Sequence, residues 1–351
     1  AEILIMDEPT SALSKAESRK LFQVIKKLSE KGVSVIYITH RMEEVFELSG
    51  RITVLRDGEL IGTVKTADTD WEAIIGMMVG RTVKEVYPKA ESRCGDEILR
   101  IERLTFSPPA FSSKRGLQDI TFSLHKGEVL GIAGLLGAGR SELFECLFGV
   151  HGKNCSAAVF IDGSPVTIKR PADAIRYGIS FVTEDRKKQG LVLGRSIGEN
   201  ISLPLLKRFS RLVLMNRTKE RESWKEQMES LKIKAPGFNT LAGQLSGGNQ
   251  QKVVLGRWLL TKPVILLMDE PTRGIDVGAK AEIYNLINRL AAEGMGILMV
   301  SSELPELIGL SDRIITFCEG RMTGEFTREE ATQEKLLAAA TLREAVKKNA
   351  G

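Results

Sequence analysis

The sequence predicts an α/β protein built on a mostly parallel sheet, and the order of its apolar segments is the first reason. Short, β-branched runs at residues 33–39, 179–183 and 264–268 are typical of strands that are buried on both faces. They alternate with amphipathic helical patterns such as residues 15–31, after which Gly32 ends the helix. This alternation is typical of helices that pack on both faces of a parallel sheet.

An internal repeat is the second reason. The segment ILIMDEPT at residues 3–10 recurs as ILLMDEPT at residues 265–272, an offset of 262 positions. The same offset aligns Gly58 with Gly320. A chance match between two apolar runs would not keep one register over this distance, so the chain is predicted to hold two copies of one fold.

The two copies differ in length, and this sets the predicted domains. Ala1 already corresponds to Pro263, whereas a strand starting near residue 98 precedes Pro263 by about 165 residues. We therefore expect residues 1–80 to be the C-terminal part of a first copy, 81–97 a polar linker, and 98–351 a complete second copy. Because residues 1–80 alone would leave a parallel sheet short of strands, we expect the natural polypeptide to carry about 165 further residues before Ala1.

Two local features are predicted within the second copy. Residues 117–133 have the pattern of a β-hairpin that turns at HKGE and feeds the sheet. Residues from about 196 to 244 are predicted to form a helical insertion, in which residues 220–232 make a charged helix.

Composition excludes several classes of protein. The chain is 42% hydrophobic and 27% charged, which is typical of a globular protein and not of a disordered or fibrous one. No apolar run reaches the roughly 18–20 residues of a membrane-spanning helix. The net charge of +5 is too small to indicate nucleic acid as a partner. The four cysteines show no CxxC spacing, so we expect reduced thiols with packing roles.

The segment GLLGAGRS at residues 134–141 follows a predicted strand and opens a predicted helix at residues 141–148. It matches the phosphate-binding pattern GxxxxGK[ST] except that Arg140 stands in the lysine position. In such a loop the glycines let backbone N–H groups face phosphates, and the helix N-terminus adds positive charge. Arginine keeps the charge but need not reach the β- and γ-phosphates as lysine does. Taken alone, the motif fits a phosphate loop and an ordinary glycine-rich turn about equally. Its candidate nucleotide-binding residues are Gly134, Gly137, Ala138, Gly139, Arg140 and Ser141.

Paired carboxylates favour the phosphate loop. A hydrophobic strand delivers Asp269 and Glu270 at its C-terminal end, which is where α/β sheets bind ligands. We expect Asp269 to hold Mg²⁺ and Glu270 to orient or deprotonate an attacking water. Asp7 and Glu8 follow the same strand in the first copy, which solvated surface acids would not explain.

A third motif, QLSGGNQQ, lies at residues 244–251 between the loop and the carboxylates. Ser246 is placed to cap the helix that follows, and two glycines would leave its first N–H groups bare. That arrangement suits a γ-phosphate, and a plain helix cap is the alternative. The candidate nucleotide-binding residues here are Leu245, Ser246, Gly247, Gly248, Asn249 and Gln250.

Taken together, LSGGNQQK, GLLGAGRS and two copies of MDEPT resemble the ATP-binding-cassette (ABC) ATPases over essentially the whole chain. The segments TEDRKKQGL at residues 183–191 and DEPTRGIDVGAK at residues 269–280 are similar to those of the double-cassette ATPases of bacterial carbohydrate importers, which include the ribose, galactose and xylose group and importers of autoinducer-type sugars. The resemblance implies α/β P-loop cassettes, each with a parallel-core sheet, an antiparallel β subdomain and a helical subdomain. The second cassette would be complete, and the first would be only its C-terminal part.

The resemblance also implies two ATP sites, each closed by the LSGG signature of the facing cassette in a cassette–cassette dimer. The first site would use Asp7 for magnesium, Glu8 as catalytic base and His40 as the switch histidine, with residues 245–249 closing it. The second would use residues 134–141 for the phosphates, with Ser141 and Asp269 on magnesium and Glu270 as catalytic base.

The second site departs from the family pattern at three positions. Arg140 replaces the lysine, Ser302 stands where the first copy has His40, and Glu184, a further candidate nucleotide-binding residue, stands where cassettes carry a glutamine. A carboxylate at position 184 would add negative charge near the phosphates. We therefore expect this site to bind nucleotide and hydrolyse it slowly, and we expect no complete site from this chain alone.

For the whole protein the resemblance implies an ATP hydrolase that is peripheral on the cytoplasmic face of the bacterial inner membrane, with ATP and Mg²⁺ as cofactors. Its partners would be transmembrane permease subunits and, through them, a periplasmic binding protein, with no nucleic acid. A cytosolic, non-transport ABC ATPase is one alternative, although the short linker argues against it. A regulatory nucleotide-binding module is another, and the degenerate second site supports it. The sequence does not identify the sugar.

Overall fold

The computed structural model describes residues 1–10, 15–39, 42–56, 58–79, 94–211 and 214–341. The chain divides into two compact units, Ala1–Val86 and Tyr87–Gly351. His40 and residues 81–93 of the predicted linker lie outside the described residues. Within the described part, no helix is both long enough and apolar enough to cross a bilayer.

In its described residues the first unit has a parallel pair of strands, an antiparallel pair and three helices. In chain order the elements are β1 (Ile3–Asp7), α1 (Lys15–Glu30), β2 (Ser34–Ile38), α2 (Met42–Leu48), β3 (Arg51–Arg56), β4 (Glu59–Lys65) and α3 (Trp71–Val79). Strand β1 pairs with β2 in parallel, and β3 pairs with β4 in antiparallel fashion. A small core of Ile52, Val54 and Ile74 forms between the antiparallel pair and α3.

The second unit begins with an antiparallel sheet and the phosphate-loop segment. The elements here are β5 (Glu97–Phe106), β6 (Leu117–His125), β7 (Val129–Gly134), α4 (Arg140–Leu147), β8 (Cys155–Ile161), β9 (Ser164–Val166), α5 (Pro171–Arg176) and β10 (Ile179–Val182). The order of the antiparallel sheet is β6-β5-β8-β9.

A mainly helical insertion follows, and then the rest of the main sheet. The elements are α6 (Ile197–Ser202), α7 (Leu206–Phe209), β11 (Ser210–Arg211), β12 (Leu214–Met215), α8 (Arg217–Ser230), α9 (Gly247–Leu259), β13 (Ile265–Asp269), α10 (Val277–Ala292), β14 (Gly296–Val300), α11 (Leu304–Leu310), β15 (Arg313–Cys318), β16 (Arg321–Thr327) and α12 (Gln333–Thr341). The main sheet has the order β10-β13-β14-β7-β15-β16 and is parallel except for β16.

The core of the second unit joins its two sheets through helix α4. Phe122 of the antiparallel sheet, Phe144 of α4 and Leu267 and Leu298 of the main sheet belong to one buried cluster. Helix α4 starts at the phosphate loop, so this packing fixes the loop to the rigid part of the unit.

The predicted hairpin at residues 117–133 is wrong. Strand β6 pairs with β5 in the antiparallel sheet, whereas β7 lies in the main sheet between β14 and β15. The turn predicted at HKGE does exist, with the Glu128 carboxylate accepting a hydrogen bond from the His125 N–H at 2.7 Å. The burial patterns explain the outcome: β7 is buried at its first five positions, as a central parallel strand must be, while β6 has exposed positions on one face.

The insertion is helical as predicted, with differences in detail. The charged helix is α8 and begins three residues earlier than expected, because the Asn216 side chain accepts a hydrogen bond from the Lys219 N–H at 3.1 Å and caps it. Lys232 adopts a left-handed conformation with φ of 50°, beyond the end of the helix. The two-residue strands β11 and β12 were not expected.

The offset of 262 positions holds in the backbone pairing. Ile3 pairs with Ser34 in the first unit, and Ile265 pairs with Gly296 in the second. The antiparallel pairs β3–β4 and β15–β16 also share their register, and each has its irregularity at the same equivalent position. The sequence repeat is therefore a repeat of local structure.

The two equivalent strand pairs differ in how they are covered. One face of β1–β2 exposes the side chains of Ile3, Ile5, Ile36 and Ile38, whereas the equivalent residues Ile265, Leu267, Leu298 and Val300 are buried. In the second unit the antiparallel sheet and α4 supply the cover. The first unit thus carries an apolar face without such a layer among its described residues.

This contrast gives a prediction for a matched pair of substitutions. Ile38 is 48% exposed and Val300 is 1% exposed at equivalent positions. I38T should lower the unfolding free energy of the first unit by less than about 1 kcal/mol, and V300T should cost the second unit about 2 kcal/mol, because a buried hydroxyl lacks water. Amide hydrogen exchange, which resolves the two units, measures both. A large cost for I38T would mean that its face is covered in solution.

Candidate nucleotide-binding site

The phosphate-loop motif forms the turn between β7 and α4, as predicted, and α4 begins at Arg140, one residue early. Two glycines adopt left-handed conformations, with φ of 78° at Gly137 and 105° at Gly139. A β-carbon at Gly134 would lie 2.8 Å from the Phe317 carbonyl oxygen. The loop therefore needs glycine for both conformation and space. No side chain caps α4, so its first N–H groups remain available to an anion.

The Arg140 side chain points into the interior of the unit. It is 9% exposed, and Nη1 donates to the Ser301 carbonyl oxygen at 3.2 Å. Nη2 lies 3.9 Å from Glu270 Oε1. The guanidinium charge therefore lies between the ends of β13 and β14, where it offsets the burial of Glu270.

Asp269 is the last residue of β13 and is 2% exposed. Burial raises the pKa of Asp269 to about 6, opposed by a hydrogen bond from Ser141 and by the charge of Arg140. The carboxylate oxygen Oδ1 is buried and has no hydrogen-bond partner among the described residues. An orphaned carboxylate oxygen beside a serine hydroxyl fits Mg²⁺, which prefers oxygen ligands and takes few of them from protein. The described residues hold no group of three or more His, Cys, Asp or Glu side chains that could hold a metal ion.

Glu270 follows in a left-handed conformation with φ of 48°, and its N–H donates to the Val300 carbonyl at 2.9 Å. Burial raises the pKa of Glu270 to about 7, while the Ser302 backbone N–H and Arg140 oppose the rise. The Ser302 hydroxyl donates to Glu270 Oε2 at 3.0 Å. Ser302 is thus part of the site, and what it contacts is the carboxylate. A carboxyl group with a pKa near neutrality can take up a proton at the pH of a cell.

Glu184 lies two residues beyond β10 and forms an ion pair with Arg273. The expectation of an isolated negative charge at position 184 omitted this partner. Arg273 belongs to the turn after Glu270, with its N–H donating to the Glu270 carbonyl at 3.1 Å. Glu184 is therefore linked through Arg273 to the turn that follows β13.

The signature motif starts α9, with Ser246 at the capping position, but the predicted cap is wrong. The Ser246 hydroxyl accepts a hydrogen bond from the Asn249 side chain at 3.0 Å, and its side chain caps no backbone N–H. Asn249 also accepts from the Lys234 N–H at 2.8 Å. The side chains of the motif therefore organise one another and leave the helix N-terminus bare.

The glycines of the signature are explained by packing. A β-carbon at Gly247 would lie 2.9 Å from the Gly274 carbonyl oxygen, and one at Gly248 would lie 2.5 Å from the β-carbon of Ala279. Gln250 Nε2 donates to the Ala242 carbonyl at 3.2 Å. Leu245 precedes the helix in an extended conformation. Among the described residues, no hydrogen bond joins residues 245–250 to the phosphate loop.

In the first unit, Asp7 ends β1 and Glu8 follows with φ of 43°, as at the equivalent Glu270. Both side chains are exposed, whereas the equivalent Asp269 is buried and the Glu270 side chain is only 11% exposed. His40, the predicted switch histidine, lies outside the described residues. The grouping of Asp7, Glu8 and His40 in one site therefore stays a prediction. One buried hydrogen bond is also repeated in the two units. The Thr10 hydroxyl donates to the Glu44 carboxylate at 2.6 Å, and the equivalent Thr272 hydroxyl donates to the Glu306 carboxylate at 2.6 Å.

Two residues on the segment before β6, Arg115 and Phe111, were not identified from the sequence. Arg115 Nε donates to the Gly137 carbonyl at 3.1 Å, and the Arg115 N–H donates to Glu142 at 3.2 Å. The segment before β6 is thereby tied to the loop. Phe111, four residues earlier, is fully exposed, although a ring that size is normally at least partly buried. The available signal was an aromatic residue in the Pro- and Ser-rich loop between β5 and β6.

The raised pKa values predict how stability depends on pH. The carboxyl of Glu270 ionises near pH 4.5 when unfolded and near 7 when folded, so its stabilising effect is complete below about 4.5 and is lost as pH rises through about 7. In metal-free buffer, E270Q should remove about 2 kcal/mol of the fall in unfolding free energy between pH 5 and pH 8. Urea unfolding at both pH values measures this. E8Q, at the exposed equivalent position, is the control; equal effects of both variants would contradict the prediction.

Comparison with known proteins places the chain in a family. The profile of the ABC transporter family matches residues 117–273, which include the phosphate loop, the signature and the carboxylates. Among solved structures, the ATP-binding cassette MJ1267 of an ABC transporter covers 70% of this chain and is itself 98% covered, with a TM-score of 0.59 and 26% identity. The CbiO1 protein of Clostridium perfringens matches in fold with a TM-score of 0.56 at 24% identity, over 69% of this chain and 93% of its own.

Among curated proteins, the chain is 50% identical over 342 residues to the xylose import ATP-binding protein XylG of Moorella thermoacetica, covering 97% of this chain and 68% of that protein. It is 46% identical over 341 residues to the ribose import ATP-binding protein RbsA of Clostridium perfringens, covering 97% of this chain and 66% of that protein. The chain thus spans about two thirds of the length of these relatives. With the predicted α/β cassette fold present, the chain belongs to the ABC transporter ATP-binding proteins, in the group that contains XylG and RbsA.

Proposed function

We propose that the chain is the larger part of the ATP-hydrolysing subunit of an importer for a sugar or a related solute. In this proposal its second unit binds MgATP at residues 134–141 and hydrolyses it slowly. The observation that carries the proposal is Asp269, a buried carboxylate with an unpartnered oxygen beside Ser141 of the phosphate loop. A buried charge without a partner is costly, so a ligand that completes it is expected.

The loop supplies most of the binding. The uncapped N-terminus of α4 faces the phosphates with its N–H groups, and the glycines keep β-carbons out of their way. Phe111 is the candidate to stack on the adenine base, because it is an exposed ring on the segment that Arg115 ties to the loop. Asp269 and Ser141 would hold Mg²⁺, which supplies positive charge against the phosphates.

Slow hydrolysis is expected from the contacts of the three residues that depart from the family pattern, Arg140, Ser302 and Glu184. Arg140 donates to Ser301 and lies near Glu270, and Ser302 donates to Glu270, so both lie against the carboxylate. Glu184 is paired with Arg273. The contacts of Arg140 and Ser302 stabilise the ionised form of Glu270. Together with the Glu184–Arg273 pair, they leave fewer groups free to stabilise charge on a γ-phosphate in the transition state.

The first unit is proposed to be the C-terminal part of another cassette. Its strand register matches that of the second unit, and the exposed isoleucine face of β1–β2 corresponds to a face that the second unit buries. Asp7, Glu8 and His40 would then serve a separate ATP site. Residues 245–249 would close that site across a cassette–cassette dimer.

The partners are proposed from the relatives, which are named for the import of xylose and ribose. A permease would carry the solute through the membrane, and a periplasmic binding protein would deliver it. The helical insertion offers exposed apolar side chains for a permease, among them Leu203 and Leu206. The subunit would lie on the cytoplasmic face of the inner membrane. A regulatory nucleotide-binding module without a permease remains the competing proposal, and co-purification with a membrane subunit would separate the two.

Nucleotide binding by this chain is the first test. Isothermal titration should give saturable MgATP binding with about one site per chain, since one phosphate loop is present. D269N should weaken MgATP binding at least about tenfold and leave metal-free ATP binding nearly unchanged. The matched control is D7N, at the equivalent position of the first unit, which should bind like the wild type. Absence of binding by the wild type, or equal losses in D269N and D7N, would contradict the proposal.

Hydrolysis is the second test. With the site saturated, phosphate release by this chain should be at least about a hundredfold slower than the roughly 1 s⁻¹ at the low end of ordinary enzyme turnover, because the Glu270 carboxylate is held by Ser302 and Arg140. A continuous phosphate assay with wild type and E270Q checks this. Wild-type turnover of about 1 s⁻¹ or faster that is absent in E270Q would show a fully competent site and refute slow hydrolysis.

A further inference from the structure

Arg186 occupies a fixed place between the signature helix and the strand that carries the carboxylates. It is the first residue of a wide helical turn, Arg186–Gly190, that follows β10. Asp185 caps this turn by accepting from the Lys187 and Lys188 N–H groups, each at 3.1 Å. Desolvation lowers the pKa of Arg186 from its usual value, as expected for a guanidinium partly removed from water.

The guanidinium of Arg186 donates to three acceptors on two other segments. Nη1 donates to the Arg273 carbonyl at 2.5 Å, and Nη2 donates to the Gly274 carbonyl at 2.7 Å. Nε donates to Gln250 Oε1 of α9 at 3.4 Å. Only arginine carries donors in a planar fork that can meet such a set at once.

Gly247, the first glycine of the signature, packs against the same group. A β-carbon there would lie 2.9 Å from Arg186 Nη2 and 2.9 Å from the Gly274 carbonyl oxygen. The position of the guanidinium therefore sets how closely the start of α9 can approach the turn after β13.

The two carbonyls that Arg186 holds belong to the turn that begins at Glu270. The Arg273 N–H closes this turn on the Glu270 carbonyl at 3.1 Å, and Glu270 itself is in a left-handed conformation. The Arg273 side chain pairs with Glu184, two residues before Arg186. Side chains of one short segment, residues 184–186, thus contact both a side chain and backbone carbonyls of the turn.

We propose that Arg186 is a positioning residue that holds the start of α9 and the turn after Glu270 in one arrangement, with the Glu184–Arg273 pair as part of the same connection. Its effect on nucleotide chemistry rests on the proposed function, because that function assigns roles to Glu270 and the signature. The structural connection stands without it. An arginine that only stabilised the unit as a whole would not couple these two segments to each other.

Amide hydrogen exchange on the nucleotide-free chain tests the connection. The reporters are the N–H of Gln250, bonded to the Ser246 carbonyl, and the N–H of Arg273, bonded to the Glu270 carbonyl. In R186A both should exchange about tenfold faster or more, whereas amides of Leu267 and Leu298 in the sheet should be unchanged. R186K should fall between, since a single ammonium cannot meet all three acceptors. K187A, on the same turn, is the matched control and should match the wild type.

Three results would overturn the proposal: no change in either reporter, a change in one reporter alone, or an equal acceleration in the sheet. If R186A does not fold, G247A carries the test, because its β-carbon should displace the guanidinium and accelerate both reporters while Arg186 is still present. Unchanged reporters in a folded G247A would also refute it.

A titration with MgATP separates this proposal from the proposed function. R186A should bind MgATP within about twofold of the wild type, because the contacts of Arg186 are to the signature helix and the turn and not to residues 134–141. A loss greater than about tenfold would indicate that Arg186 contacts nucleotide directly, which contradicts a positioning role. If the wild type binds no MgATP, the proposed function fails, and the exchange result still decides the role of Arg186.

Discussion

The burial of two adjacent carboxylates at the end of β13 is the constraint on which the candidate site depends. Asp269 and Glu270 lie in a region that removes water from both, and burial is the largest influence on the pKa of each. Removing a charge from water requires nearby donors or cations. Arg140, Ser141 and Ser302 supply them here. The same requirement is consistent with the phosphate loop lying against this strand end. One Asp269 oxygen still has no hydrogen-bond partner among the described residues.

A comparison of the two units separates what the repeated segment encodes from what its surroundings add. Strand register, the left-handed glutamate and the buried threonine–glutamate bond occur in both units, so the segment itself encodes them. Burial of the carboxylates and of one sheet face occurs only in the second unit, where the antiparallel sheet and α4 pack over the strands. The repeated segment, ILIMDEPT in the first unit and ILLMDEPT in the second, therefore carries exposed acids in the first unit and acids with raised pKa values in the second.

The sequence predicted features that depend on local pattern and missed those that depend on long-range packing. The α/β class, the phosphate-loop turn, the start of α9 and the repeat register follow from periodicity, glycine placement and self-comparison. The supposed hairpin was wrong because a tight turn does not reveal whether its strands enter one sheet or two. The Ser246 cap was wrong because Asn249, three residues on, competes for the hydroxyl. The inward direction of Arg140 and the link made by Arg186 could not be read from the sequence, because each depends on carbonyl groups far along the chain.

The three departures from the family pattern have a common physical effect. Arg140 and Ser302 lie against Glu270, and Glu184 pairs with Arg273 in the turn that Glu270 begins. In each case a side chain at a position expected to face phosphate makes a contact within the protein. Interactions already made in the ground state cannot contribute newly in a transition state, so they support binding more than catalysis. In the proposed function, a site built in this way would hold MgATP at residues 134–141 mainly as a structural ligand, and the chemistry would fall to a site that uses Glu8 and His40.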